Sequence, residues 1–181
     1  MRLVIQKVKR ASVSVASSPV SSIGAGLLVL VGLHSLDTSD DLAWCAKKLL
    51  ACKIWDNDDG KLWRKGVKDM DLEVLLVSQF TLYGGVHNKR SQPDFKHAMK
   101  AESARGAYEE FKAMVSSAYG NSSKIKDGSF GELMDVELVN DGPVTIVVDS
   151  LDREGRQLAG GAATAGSAAV GEAKEEAAEE P

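Results

Sequence analysis

Residues 3–15 alternate apolar and polar side chains, and a period of two predicts a strand with Val13 and Val15 on one face. A turn is expected near residues 17–19, then a short strand over 20–23, with Gly24 and Gly26 marking a turn or bulge. Residues 27–31 are apolar without interruption, the pattern of a central strand buried on both faces. Over residues 40–52 the period changes. Leu42, Cys45, Ala46, Leu49 and Leu50 recur at helical spacing. Thr38 or Ser39 can cap this helix, and Asp40 and Asp41 suit the positive end of its dipole. Residues 53–55 predict a strand closed by a turn at 56–60, and residues 73–78 predict a second buried strand. The loop 84–93 is polar and basic. Residues 101–119 predict a helix burying Ala104, Tyr108, Phe111 and Val115, with Gly120 as its stop. Residues 130–148 are expected to close the domain as two strands around the turn Asn140-Asp141-Gly142-Pro143. Together these elements predict an α+β domain: a mostly antiparallel, barrel-like sheet with two main helices packed on it.

The chain has 181 residues, 44% of them hydrophobic, enough for one well-buried domain and short for two. From Arg153 onward its character changes. Residues 160–181 are mostly Ala, Gly, Ser and Glu with Val170 as the one strongly apolar side chain, so they cannot bury enough surface to offset their ordering entropy. This divides the chain into a folded domain, 1–152, and a tail, 153–181, expected to be disordered. The tail holds six glutamates against three bases, so most of the net charge of −4 belongs to it. The nearly neutral remainder still carries two basic runs: Lys61, Arg64, Lys65 and Lys68, and then Lys89, Arg90 and Lys96. Such runs either face solvent or contact a nucleic-acid backbone, and sequence alone leaves both readings open. No apolar run approaches the ~20 residues that span a bilayer, and the alternating N-terminus does not read as a signal peptide. A cytoplasmic protein without a membrane segment is the expectation.

Candidate chemistry narrows quickly. Cys45 and Cys52 share a helix face two turns apart, on the order of 10 Å, which is beyond disulfide reach. They read as reduced core thiols. His34, His87 and His97 show no metal-ligand spacing, and the acidic turn at 56–60 lacks the later glutamate of a calcium loop, so no metal or cofactor is expected. Two signals remain. Ser78-Gln79-Phe80-Thr81 ends a buried strand, where backbone N–H groups released from the sheet can stabilise an oxyanion. Thr81 as a nucleophile would need an adjacent base, and the sequence supplies none. The other signal is Asn140-Asp141-Gly142-Pro143-Val144-Thr145. Taken alone, each reads as well as a hydrogen-bonded loop or a plain turn.

Taken together, SQFTLYG, NKRSQPDFKHAM and FGELMDVELVNDGPVT occur in an order that resembles the D-aminoacyl-tRNA deacylase family over residues 1–150. The opening MRLVIQKVKRASVSV and the IGAGLLVLVGL stretch follow its pattern too. The resemblance implies that family's fold. It implies an enzyme that hydrolyses the ester between a D-amino acid and the 3′ end of tRNA, acts on glycyl-tRNA as well, and works as a homodimer with each active site at the subunit interface. It implies a cis Gly142-Pro143 peptide that reaches into the partner's site, flanked by Asn140 and Asp141. There the carbonyls of Gly142 and Pro143 grip the α-amino group, so that an L side chain would clash with backbone. Ser78, Gln79, Phe80 and Thr81 are the expected catalytic segment, by backbone donors with Thr81 or the ribose 2′-OH assisting. Lys89, Arg90 and Lys96 are the expected tRNA contacts. Two alternatives stand beside this reading. One is a nucleic-acid-binding module of the same fold without the chemistry. The other is a related deacylase for misacylated L-alanine or glycine.

Overall fold

The computed structural model describes residues 1–86 and 91–153. Its spine is the 14-residue strand β1, Arg2–Val15. The N-terminal half of β1 pairs antiparallel with β3, Gly26–Gly32, and its C-terminal half with β2, Ser18–Ile23. The β1–β2 reversal sits at Ala16 and Ser17, both at positive φ (47° and 65°), the pairing of a tight hairpin turn. The turn therefore precedes the expected 17–19, and Pro19 lies inside the edge strand β2, where its missing donor faces no ladder partner. β3 runs parallel to β6, Glu73–Ser78, and β6 parallel to the short β7, Ile125–Asp127. A separate hairpin joins β4, Lys53–Trp55, to β5, Lys65–Gly66. Four of the six strand pairings are antiparallel, and the two parallel ones place β6 between β3 and β7.

Burial on both faces of β3 and β6 follows from their continuous apolar sequence. Leu27, Val29, Val31, Val74 and Leu76 point to one core. There they meet α1, Ser39–Ala51, and α2, Ala101–Tyr119. Leu28, Leu75 and Val77 point to a second core, where they meet Val8, Ala11, Val13 and Ile23 from the curled β1–β2 hairpin. The expected helix faces are buried at Leu42, Cys45, Ala46 and Leu49 in α1, with Leu50 half-buried, and at Ala104, Tyr108, Phe111 and Val115 in α2. Thr38 is the N-cap of α1, with its N–H and hydroxyl both donating to the Asp41 carboxylate. Cys45 is fully buried, and that burial pushes its thiol up to about 12. Cys52 is raised for the same reason and both thiols are free, so neither offers a thiolate for catalysis.

One expectation is corrected. Residues 130–148 do not form two strands around a turn. Asp135–Asp149 is a single strand, β8, antiparallel to β1 on both sides of the Gly-Pro segment. Val8 pairs with Asn140 and Gln6 with Thr145, so Asp141, Gly142, Pro143 and Val144 together oppose Lys7 alone. The turn residues mark an excursion of the backbone out of the ladder, a large bulge, and the strand resumes in the same direction.

Residue Arg153, which the sequence assigns to the tail, lies against the folded part. Its guanidinium donates to Asp41 and to the Ser150 carbonyl and lies over the Trp44 ring. Residues 154–181, the rest of the expected tail, are outside the described residues, as are His87, Lys89 and Arg90.

Candidate active site

Strand β6 ends at Ser78, where Val31 of β3 is its last pairing partner. The Gln79 N–H still donates to the Val31 carbonyl at 2.8 Å. Beyond it Phe80–Tyr83 turns into a single 3₁₀ helix. The first N–H groups of such a turn, those of Phe80 and Thr81, have no carbonyl partner within it. Gln79 has a half-buried side chain, while Phe80 and Thr81 are exposed. The Gln79 amide donates to the Thr81 hydroxyl at 2.6 Å. Among the described residues no imidazole or carboxylate bonds to that hydroxyl, so none of them stands as its general base.

This turn forms one wall of a cavity of about 600 Å³. Val31, Leu33 and Val77 make its floor, Met99 and Ala104 a second wall, and residues 130–134 a third. Leu133 stands 93% exposed at the lip and Phe80 57% exposed, packed edge-on against Phe95. Sequence reasoning missed Met99 and the 130–134 wall as site residues, because only the folded chain brings them to the end of β6.

Two histidines lie behind the turn. His34 packs edge-on against the buried Tyr83 and stacks on His97. Burial lowers the His34 pKa, against the opposing charge of Asp37, and its Nδ1 accepts from the Leu36 N–H. Burial also raises the Tyr83 phenol well above its ordinary range. His34 and Tyr83 are thus neutral near pH 7, and neither lines the cavity.

The second expected site stands elsewhere. Gly142 and Pro143 are exposed at the crest of the β8 excursion, and the peptide between them is cis. Gly142 has φ +132°, a conformation that an L side chain strongly disfavours. Asn140 ties the neck of the loop: its Oδ1 accepts from the Val144 N–H at 2.8 Å, and its Nδ2 donates to the Val144 carbonyl and the Thr145 hydroxyl. Asp141 pairs with Lys7 at 3.2 Å, and the Lys7 ammonium lies over the Trp55 ring. Within one chain the structure does not bring this crest to the cavity. Val136 lines the cavity, and Gly142 lies six residues further along β8, on the order of 20 Å at strand spacing.

Of the expected tRNA contacts, Lys96 is exposed on the segment leading to Met99. Lys89 and Arg90 lie outside the described residues. Among the described residues no group of three or more His, Cys, Asp or Glu side chains could hold a metal ion, and no helix is long and apolar enough to cross a membrane.

The chain is similar to known proteins over most of its length. A D-aminoacyl-tRNA deacylase of Drosophila melanogaster is 48% identical over 154 residues, covering 85% of this chain and 95% of that protein. The solved structure of the c-Myc DNA unwinding element binding protein superposes with a TM-score of 0.78 at 41% identity, covering 82% of this chain and 98% of that one. A probable eukaryotic D-amino acid tRNA deacylase shares the fold at a TM-score of 0.71 with 18% identity, covering 82% and 98% of the two chains. The expected mixed architecture, a sheet curled toward closure with two helices on it, is thus a known one. With the D-Tyr-tRNA(Tyr) deacylase family matching across residues 4–149, which include both the cavity turn and the Gly-Pro crest, this chain belongs to that family.

Proposed function

We propose that the protein hydrolyses the ester bond of D-aminoacyl-tRNA, releasing the free D-amino acid and tRNA. The observation that carries the mechanism is the separation of its two halves. The cavity holds candidate oxyanion donors, and the Gly142 and Pro143 carbonyls are not part of its lining. The Gly142-Pro143 crest offers exposed carbonyls and no cavity. A second copy of the chain supplies what each half lacks: the crest of one subunit enters the cavity of the other, and the working unit is a homodimer. The free edge of β8 and the exposed Leu133, Phe80 and Val147 give that contact apolar surface.

In this site the Phe80 and Thr81 N–H groups receive the charge that develops on the ester carbonyl oxygen. The Gly142 and Pro143 carbonyls of the partner subunit accept from the α-ammonium and fix the chirality at Cα. With the ammonium and the ester both held, a D side chain points out of the cavity and an L side chain points into backbone. Glycine has no side chain to reject, so glycyl-tRNA is hydrolysed too. Lys96, with Lys89 and Arg90, holds acceptor-end phosphates, which position the ester without reading sequence. A cytoplasmic location goes with such a substrate. The deciding measurement is deacylation of matched D- and L-tyrosyl-tRNA. Hydrolysis of the D form alone is expected, and equal rates on both, or none on either, would overturn the reading.

The aminoacyl ester is already activated, so the site needs orientation and charge stabilisation more than a protein nucleophile. Thr81→Ala is accordingly expected to keep activity within about tenfold of the wild type, because the backbone donors survive the change. A loss approaching the ~10⁴-fold scale of a deleted triad member in single-turnover assays would restore Thr81 as nucleophile.

The domain boundary is proposed on the same footing. A chain ending at Arg153 keeps the Asp41 and Trp44 contacts and is expected to melt within about 2 °C of the full chain, with an unchanged rate. A large loss of either on truncation would assign residues 154–181 a part in the fold or the site.

A second reading has one observation in its favour: the structural relative at 41% identity is named for binding a DNA unwinding element. A module that only binds nucleic acid needs neither the cavity turn nor the Gly-Pro crest. The chain carries both, and the tyrosyl-tRNA assay separates the two readings.

A further inference from the structure

The 3₁₀ turn Phe80–Tyr83 leads from a firmly paired strand into Gly84 and Gly85, so its C-terminal side is attached to the most permissive backbone available. One side chain from outside the turn closes that gap. The Arg2 Nη1 donates to the Leu82 carbonyl at 2.8 Å. The same guanidinium donates through Nε to Asp149 at 2.8 Å, and it lies over the Tyr83 ring with 5.0 Å to the centroid. Asp149 is itself fixed: its side chain is 3% exposed, and its other oxygen accepts from the Leu151 N–H. Arg2 thus ties together β1, the end of β8 and the C-terminal end of the turn. Leu82 is also wedged against Gly32, where an added Cβ would come within 2.9 Å of the Leu82 Cβ.

We infer that Arg2 is a positioning residue for deacylation: by holding the Leu82 carbonyl, it fixes the direction in which the Phe80 and Thr81 N–H groups point. The inference rests on the role proposed above for those two groups. A planar fork does this and an ammonium does it poorly. Asp149, Leu82 and the Tyr83 ring meet three different features of one guanidinium, and Lys can satisfy only part of that geometry. A cation at the carbonyl end of the turn also complements its dipole.

The test compares the wild type with Arg2→Lys, Arg2→Met and the double variant Arg2→Met/Asp149→Asn, all as full chains. The double variant removes the unpaired buried carboxylate that could unfold Arg2→Met. Two quantities are read: single-turnover kcat and KM on D-tyrosyl-tRNA, and amide hydrogen exchange along residues 73–85. The expected result for Arg2→Met and the double variant is a kcat lowered at least tenfold with KM within twofold. Exchange should accelerate at residues 80–84 and stay unchanged in β6, and Arg2→Lys should fall between. A kcat within twofold of wild type, or a loss that follows melting temperature with exchange at 80–84 unchanged, overturns the inference. If the wild type itself leaves D-tyrosyl-tRNA intact, the function proposed above fails, while accelerated exchange at 80–84 still upholds the clamp and unchanged exchange still rejects it.

Discussion

Gly142→Ala is expected to lower D-aminoacyl-tRNA hydrolysis by about a hundredfold or more while leaving the fold in place. The substitution meets two obstacles. At φ +132° the backbone of residue 142 lies where an L side chain is strained, and an added Cβ would sit 2.6 Å from Val144 Cγ2 and 3.0 Å from the Val144 nitrogen. The second contact is with backbone and cannot be relieved by rotating a side chain. Val144 is also the residue that Asn140 holds at the neck of the loop. Relief therefore requires the crest to reshape, and its two carbonyls move with it. A displacement near 1 Å is enough for a loss of about a hundredfold when a group must meet its partner in one geometry. The fold is kept because Gly142 and Pro143 are exposed and belong to neither core, and only the partly buried Val144 of this loop touches one. Strain of about 1–3 kcal/mol would be confined to the loop, for a fall in melting temperature of roughly 10 °C at most. Rates on D- and L-tyrosyl-tRNA together with a thermal melt check this. Unimpaired D hydrolysis with rejection of the L substrate intact would remove the crest from the mechanism.

The crest also shows where sequence reasoning reaches its limit. Asn-Asp-Gly-Pro is a local signal, and it correctly located a departure from extended backbone. Whether the chain then reverses or resumes depends on the partner strand. Here β1 is long enough to pair with β8 on both sides of the insertion, which no residue within 140–143 encodes. The elements legible in advance are those whose cause is local: the uninterrupted apolar runs of β3 and β6, the helical spacing and cap of α1, and the face of α2 that buries Tyr108 and Phe111. The parallel pairing of β3 with β6 joins residues more than forty positions apart, and an apolar run in either strand carries no direction. The site divides in the same way. The Ser78-Gln79-Phe80-Thr81 segment was legible because polar residues end an apolar strand. Arg2 was not, because its partners Leu82 and Asp149 are brought to it only by the folded sheet.

Phe80→Pro is expected to lower kcat by a further 10²–10³-fold relative to Phe80→Ala, the scale on which one oxyanion donor acts. The pair isolates a single atom group. Both variants lose the ring and its edge contact with Phe95, and only proline also loses the backbone N–H. The backbone accepts the change. Phe80 is the first residue of its 3₁₀ turn, a position where proline's fixed φ is tolerated, and Gln79 before it lies at φ −145° and ψ 81°, outside the helical region that a following proline disfavours. Equal rates for the two variants would show that the Phe80 N–H is not a donor to the transition state. The same variant then tests where the crest acts. Phe80→Pro damages the cavity and spares the crest, and Gly142→Ala does the reverse. If each site joins the cavity of one subunit to the crest of the other, a heterodimer of the two variants contains one site with both halves intact. Random 1:1 mixing should restore about a quarter of wild-type sites from two nearly inactive proteins. A site built within one chain predicts no recovery, because every chain in the mixture then carries a damaged half. Rates measured after subunit exchange, with each variant mixed against itself as control, decide between the two arrangements.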